Sequence, residues 1–299
     1  MIVPFHESRF STGKVVFNVA CSASVGPTLL MLHGVTRRWQ TFLPLLPSLA
    51  KTWHVMAPDF PGHGESGRSN ESYRAIDYVR DTVGLIQTYT TGPVVLYGHS
   101  LGAMVAAAVA AELPRQVRGI VLEDPPFDTM GCRIAETRLQ TYFAGMQSLA
   151  GSRRPLFEMV NHVAQLKFVD PDTGDTQRLG DLRDEAALRF TAESLACLDP
   201  RVLEPIVAGR WLEGFDRRAI LQGIRCPVLL LQADIGTGGM LTPQDAAELQ
   251  AHLARCSTTQ FPGVGHLIHD SRPLEVLDVV QDFFHSAELQ HTTPSHRTA

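Results

Sequence analysis

Gly98-His99-Ser100-Leu101-Gly102 sets one serine between two glycines, directly after the apolar run "VVLYG" and directly before the alanine-rich "LGAMVAAAVAAEL". A buried strand feeding a helix has no need of that serine. A strained strand-to-helix turn does, because small residues two before and two after let the backbone lift the Ser100 hydroxyl above a sheet as a nucleophile. The helix then aims its N-terminal dipole and free N–H groups at charge developing on an attacked carbonyl. Ala103, Ala106, Ala107 and Ala110 would let that helix pack closely on the sheet. The plainer use of such a serine is a helix N-cap; a strand before it and a helix after it favour the nucleophile.

An activated serine needs a base from elsewhere in the chain. Of the twelve histidines, His266 in "FPGVGHLIHDSRP" follows a late strand, sits in a glycine-rich loop and precedes the last helix. His269 is its rival, nearer the helix start. His99 points away on a tight turn and reads as a packing or hydrogen-bonding residue, and His33 and His63 read as structural hydrogen-bonding residues in turns.

The elements that must position these groups are legible as alternation. Apolar runs at 15–20, 28–33, 53–58, 94–98, 118–124, 226–233 and 258–263 predict strands, several without polar alternation, as in a parallel sheet covered on both faces. Helical patterns fall in part on "WQTFLPLLPSLA", then on "ESYRAIDYVRDTVGLIQTYT", "LGAMVAAAVAAEL", "PQDAAELQAHLA" and "RPLEVLDVVQDFF". Between residues 125 and about 215 the pattern is helical with no buried strand, broken by the polar loop "DPDTGDTQ" (170–177).

A chain of 299 residues with a net charge of −5 carries no basic footprint for nucleic acid and no polybasic membrane patch. It has no apolar run long enough to span a bilayer and no signal-peptide pattern, so a cytoplasmic protein is expected. Cys21, Cys132, Cys197, Cys226 and Cys256 stand singly, which predicts reduced thiols and neither a disulfide framework nor a metal site.

"LHGVTRRW" (32–39), "DFPGHGES" (59–66), "GHSLG" (98–102) and "PGVGH" (262–266), in that order, resemble the α/β-hydrolase superfamily over residues 15–285. The resemblance implies an α/β-hydrolase fold: a mostly parallel central sheet of about eight strands flanked by helices, the active site at the strand C-terminal edge, and a helical lid inserted after strand 6. Residues 1–286 would form a single domain with the lid at about 125–215, and residues 287–299 a disordered tail. It also implies an oxyanion hole from the backbone N–H groups of Val35 and Leu101. The third member of the triad should be an acid that holds the imidazole tautomer. Most of the family carries it a few residues past the seventh strand, where "LLLQADIGTGGMLTP" has glycines and only Asp234, directly after the strand. "RGIVLEDPPF" offers Asp124 directly after the sixth strand, the position some haloalkane dehalogenases use, with Glu123 turned to the opposite side. Asp124 is the first choice and Asp234 the alternative.

The expected reaction is hydrolysis of a carboxylic ester, with a lactone, amide or activated C–C bond as variants, through an acyl-enzyme on Ser100. It calls for no metal or organic cofactor, and the expected partner is a small, moderately apolar ester, with no nucleic acid and no membrane. The alternatives are a cofactor-free haloperoxidase-type enzyme and a slow-turnover small-molecule receptor on the same fold. Trp39, Phe127, Tyr142, Phe143, Met146, Phe157, Met159 and Trp211 are candidates for the pocket wall, against a plain packing role. Arg37 and Arg38 are expected in solvent, with no cationic clamp.

Overall fold

A computed structural model describes residues 5–131 and 133–289. Eight strands form one sheet in the order β1-β2-β4-β3-β5-β6-β9-β10. They are β1 (His6–Ser11), β2 (Val16–Cys21), β3 (Thr28–Leu32), β4 (His54–Pro58), β5 (Val94–His99), β6 (Val117–Glu123), β9 (Val228–Ala233) and β10 (Cys256–Phe261). β1 and β2 enter antiparallel, and every pairing from β4 to β10 is parallel. β5, all six residues buried, lies between β3 and β6, which is why "VVLYGH" shows no polar alternation. The sequence reading missed β1: "HESRFS" is polar, mostly exposed, and held only by its ladder to β2.

The helices are α1 (Leu46–Leu49), α2 (Ala75–Tyr89), α3 (Leu101–Glu112), α4 (Leu139–Leu149), α5 (Leu156–Ala164), α6 (Glu185–Cys197), α7 (Glu204–Val207), α8 (Arg217–Gly223), α9 (Pro243–His252), α10 (Ile268–Ser271) and α11 (Pro273–Ser286). α3 buries its first ten residues, Leu101 to Ala110, since alanine offers no bulk to keep its backbone off the strands. Apolar residues fill both faces of the sheet. One layer gathers α2, α3 and the segment between β6 and β9; the other gathers Phe42, Trp53, Tyr97 and α11.

That segment carries α4 to α8 and a short hairpin, β7 (Lys167–Val169) with β8 (Thr176–Arg178), joined by the polar residues 170–175. Of the segment expected as a tail, residues 287–289 are described, and Leu289 is buried, filling the space beside Gly119. Residues 290–299 lie outside the described residues, as does Cys132. Cys21, Cys197, Cys226 and Cys256 are free thiols. No helix among the described residues is long and apolar enough to cross a membrane.

Candidate active site

Each sequence-predicted group sits at the C-terminal end of a strand. His33 and Gly34 follow β3, Ser100 follows β5, Asp124 follows β6, Asp234 follows β9, and the loop after β10 carries His266. Parallel strands therefore deliver them to one edge of the sheet, where open α/β sheets place their ligands.

Ser100 adopts φ 55° and ψ −117°, a conformation non-glycine residues avoid, and opens α3. Its tightness is enforced on both sides. A methyl group at Gly98 would overlap the Gly102 carbonyl, and one at Gly102 would overlap the Leu32 carbonyl. Thr36 (φ 63°) and Asp124 (φ 43°) share this strain, of order 1–3 kcal/mol each, around the same site. The Ser100 N–H is spent on the Glu123 carbonyl at 2.9 Å, fastening the turn to β6. Val35 and Leu101 follow the two turns, and among the described residues neither N–H meets a backbone carbonyl.

The turn that carries Val35 is braced from below. The His33 Nδ1–H donates to the Gly34 carbonyl at 2.8 Å while its Nε2 accepts the Phe60 N–H at 2.9 Å. The His63 Nδ1–H donates to the Pro61 carbonyl at 3.1 Å and its Nε2 accepts the Thr36 N–H at 3.3 Å. Both rings are neutral because burial drives them down, His33 to about 4 and His63 to about 3. Buried Asp59 takes the Trp39 N–H at 2.8 Å and the Glu65 N–H at 3.0 Å, joining the "LHGV" and "DFPGHGES" turns.

The structure brings His266 to Asp124 rather than to Asp234. His266 Nδ1 lies 2.6 Å from Asp124 Oδ2. Asp124 is fully buried and also accepts the N–H groups of Met240 (2.8 Å), Leu241 (3.2 Å) and Ala233 (3.4 Å). The glycine-rich loop after β9 thus supplies backbone donors to an acid that follows β6. That was the signal available in "GTGGML". Asp234 instead accepts the N–H groups of Gly236 and Gly263, each at 2.8 Å, and these bonds hold its carboxyl below the usual range. It ties the β9 loop to the loop that carries His266. His269 is fully buried and pairs with Glu123, away from the cavity.

Ser100, His266, His99, Val35 and Thr36 line a cavity of about 700 Å³. The segment between β6 and β9 supplies much of the rest, including Tyr142, Phe143, Met146 and Phe168. Burial pushes the Tyr142 phenol up to about 12, so it remains a neutral hydroxyl. Five expected pocket residues do not reach it. Trp39 opens the 3-10 turn to Phe42 and packs on the opposite face of the sheet. Phe127 is fully buried under the Arg217 guanidinium, 5.4 Å away. Trp211 is fully buried in the first apolar layer, its carbonyl taken by the Ala75 N–H at 3.0 Å. Met159 is likewise core, and Phe157 is 67% exposed.

The arginines are the larger correction. Arg37 is half-buried, lies 5.0 Å over the Phe190 ring and lines the cavity, as do Arg138 and Arg183. Arg138 is partly answered by Asp170 at 3.0 Å. Arg38 turns away to Glu193 at 2.6 Å. Nothing in the charged, amphipathic "GDLRDEAALRF" marks Arg183, an exposed residue that only the packing of that segment sets among the cavity's lining.

A model of the alpha/beta hydrolase family matches residues 29–279. The chain is 36% identical over 291 residues to 2-(acetamidomethylene)succinate hydrolase of Mesorhizobium japonicum, covering 93% of this chain and 95% of that one. A shorter match, 32% over 93 residues, covers 31% of this chain and 35% of (E)-2-((N-methylformamido)methylene)succinate hydrolase of Acinetobacter baylyi. Among solved structures, that of E-2-(acetamidomethylene)succinate hydrolase superposes with a TM-score of 0.76 at 23% identity, over 94% of this chain and all of that one. The 2-hydroxy-6-oxo-6-phenylhexa-2,4-dienoate hydrolase of Rhodococcus sp. strain RHA1 gives 0.71 at 18%, over 95% and 99%.

Proposed function

The chain belongs to the alpha/beta hydrolase family, and on that premise we propose that it is a serine hydrolase cleaving the acyl bond of a small, carboxylate-bearing amide or ester. The observation that carries this reading is the 2.6 Å contact between His266 and buried Asp124 beside a cavity shared with Ser100.

Ser100 Oγ attacks the carbonyl as His266 Nε2 takes its proton. Asp124 keeps the Nδ1–H tautomer and stabilises the imidazolium that forms. The Val35 and Leu101 N–H groups hold the oxyanion, each donor contributing about 3 kcal/mol to the transition state. His266 returns the proton to the leaving nitrogen or oxygen, and water clears the acyl-enzyme with His266 again as base. No step draws on a metal or organic cofactor. The helices between β6 and β9 serve as the lid that keeps bulk water out.

Arg37, Arg138 and Arg183 give the cavity a cationic wall suited to carboxylates, which revises the expectation of a moderately apolar ester. The relative from Mesorhizobium japonicum carries both features in its name, an acetamido group and a succinate.

The test is a panel of acetamidomethylene dicarboxylates, their methyl diesters and neutral aryl esters. The dicarboxylate should be turned over with kcat/KM at least ~10-fold above its diester. Ser100→Ala should abolish turnover. Asp124→Asn should cost about 10⁴-fold in kcat, and Asp234→Asn less than about tenfold. Retained activity in Ser100→Ala, or equal losses at the two aspartates, would sink the mechanism. A preference for the neutral diester would sink the substrate class.

A further inference from the structure

β6 ends in Glu123 and Asp124 follows it directly, two successive carboxyl side chains that are both fully buried. Asp124 meets His266. Glu123 turns to the other side of the sheet, as alternation along a strand requires, and collects a separate set of donors. The Tyr97 hydroxyl donates to its Oε2 at 2.6 Å and the His269 backbone N–H to its Oε1 at 2.9 Å. His269 Nδ1 lies 2.8 Å from Oε1 and 2.9 Å from Oε2. The His269 ring is boxed by Phe42 and His99, centroids 5.2 and 5.0 Å away, and its Nε2 lies 3.0 Å from Thr41 Oγ1. This is a second histidine–carboxylate pair beside the first, and neither member lines the cavity.

We infer that Glu123 and His269 are positioning residues for His266. The inference rests on the reading of Ser100, His266 and Asp124 as the hydrolytic machinery. His266 stands in a loop, and a general base must be held within a fraction of an ångström and a few degrees of its productive geometry. Three ties hold it. Asp124 takes its ring, the His99 Nε2–H donates to its carbonyl at 3.0 Å, and Glu123 anchors His269 three residues on through both main chain and ring.

The ties converge on two neighbouring strand ends. His99 closes β5 opposite Glu123 in the parallel ladder, and the Ser100 N–H bonds the Glu123 carbonyl. A displacement of the histidine loop relative to the nucleophile therefore strains the same two strands that carry the nucleophile. Docking is also self-reporting: a buried carboxylate is costly without donors, and Glu123 has its full set only when His269 is seated.

The test uses Glu123→Gln, which keeps the side-chain volume but leaves one oxygen to serve both the His269 N–H and its Nδ1–H, and puts an amino group where the other oxygen takes the Tyr97 hydroxyl and the second Nδ1 contact. Two measurements are made on the full-length protein below its melting temperature. One is kcat and KM on the best substrate of the panel; the other is the downfield imidazole N–H spectrum of protein carrying ¹⁵N-labelled histidine. The inference expects kcat to fall about ten- to hundredfold with KM held within about twofold. It also expects displacement of the His269 Nδ1–H resonance together with displacement of the His266 resonance. A displaced His269 signal with the His266 signal and kcat both unmoved would overturn it.

Should Glu123→Gln fail to fold, Thr41→Val removes only the Nε2 partner of His269 and is read the same way. A displaced His266 resonance with lowered kcat supports the inference, and neither change overturns it. The resonances report the seat of His266 without turnover. An active Ser100→Ala would therefore fell the hydrolase reading while leaving this outcome separately visible.

Discussion

His33 and His63 sit fully buried beneath the turn that carries Val35 and Thr36, and burial holds their imidazoles at about 4 and about 3. In the unfolded chain both return to the ordinary value near 6.5. Folded values lie below unfolded ones, so the unfolded state binds more protons under pH 6.5. The stability these residues contribute is complete above that value and drains away as pH falls toward 4 and then 3. Each unit of displacement is worth about 1.4 kcal/mol, so the pair accounts for several kcal/mol of acid sensitivity. Melting temperature should drop steeply between pH 6.5 and 4, and His63→Gln should flatten that slope. Parallel profiles for the two proteins would rule the account out. The roles of single residues divide sharply by legibility. Ser100 stands out because a nucleophile turn makes demands within five residues. Asp124 ranks first in the sequence but Asp234 stays open beside it, because the choice depends on where "GTGGML" runs once folded, and its Met240 and Leu241 amides bond Asp124.

Among the elements, the β5–α3 junction is the most constrained. With Gly102 against the Leu32 carbonyl and Gly98 against Gly102, β3, β5 and α3 meet backbone to backbone. Gly102→Ala should therefore cost upward of ~3 kcal/mol, more than ordinary overpacking, since main chain rather than a side chain must yield. Thermal unfolding and soluble yield would measure it, and a melting temperature within a degree or two of the parent would contradict the contact. Central strands declared themselves because both faces are covered, leaving continuous apolar runs. β1 stayed hidden because its polar, exposed residues owe their strand to a neighbour's hydrogen bonds. The walls of the cavity were least legible. Phe127, Trp211 and Tyr142 are alike in the sequence as aromatic members of the stretch from 125 to about 215, and only tertiary packing sends Tyr142 to the cavity and the others to the core.

At the scale of the whole molecule, the site is divided very unevenly along the chain. Val35, Ser100, Leu101 and Asp124 all precede the segment between β6 and β9, and His266 alone comes from beyond it. The hairpin of β7 and β8 lies between these two groups, and its turn, from Pro171 to Gly174, is exposed. A chain cut there falls into one piece holding the proposed nucleophile, oxyanion donors and acid, and another holding the proposed base with the Met240 and Leu241 N–H groups that Asp124 accepts. The interior ladder between β6 and β9 would be the seam along which they rejoin. Each fragment alone should be silent, and mixing should restore hydrolysis, except when the second fragment carries His266→Ala. Turnover by the first fragment alone would refute this division. The fold would then work as a two-input device, a sensor whose signal is the meeting of its halves.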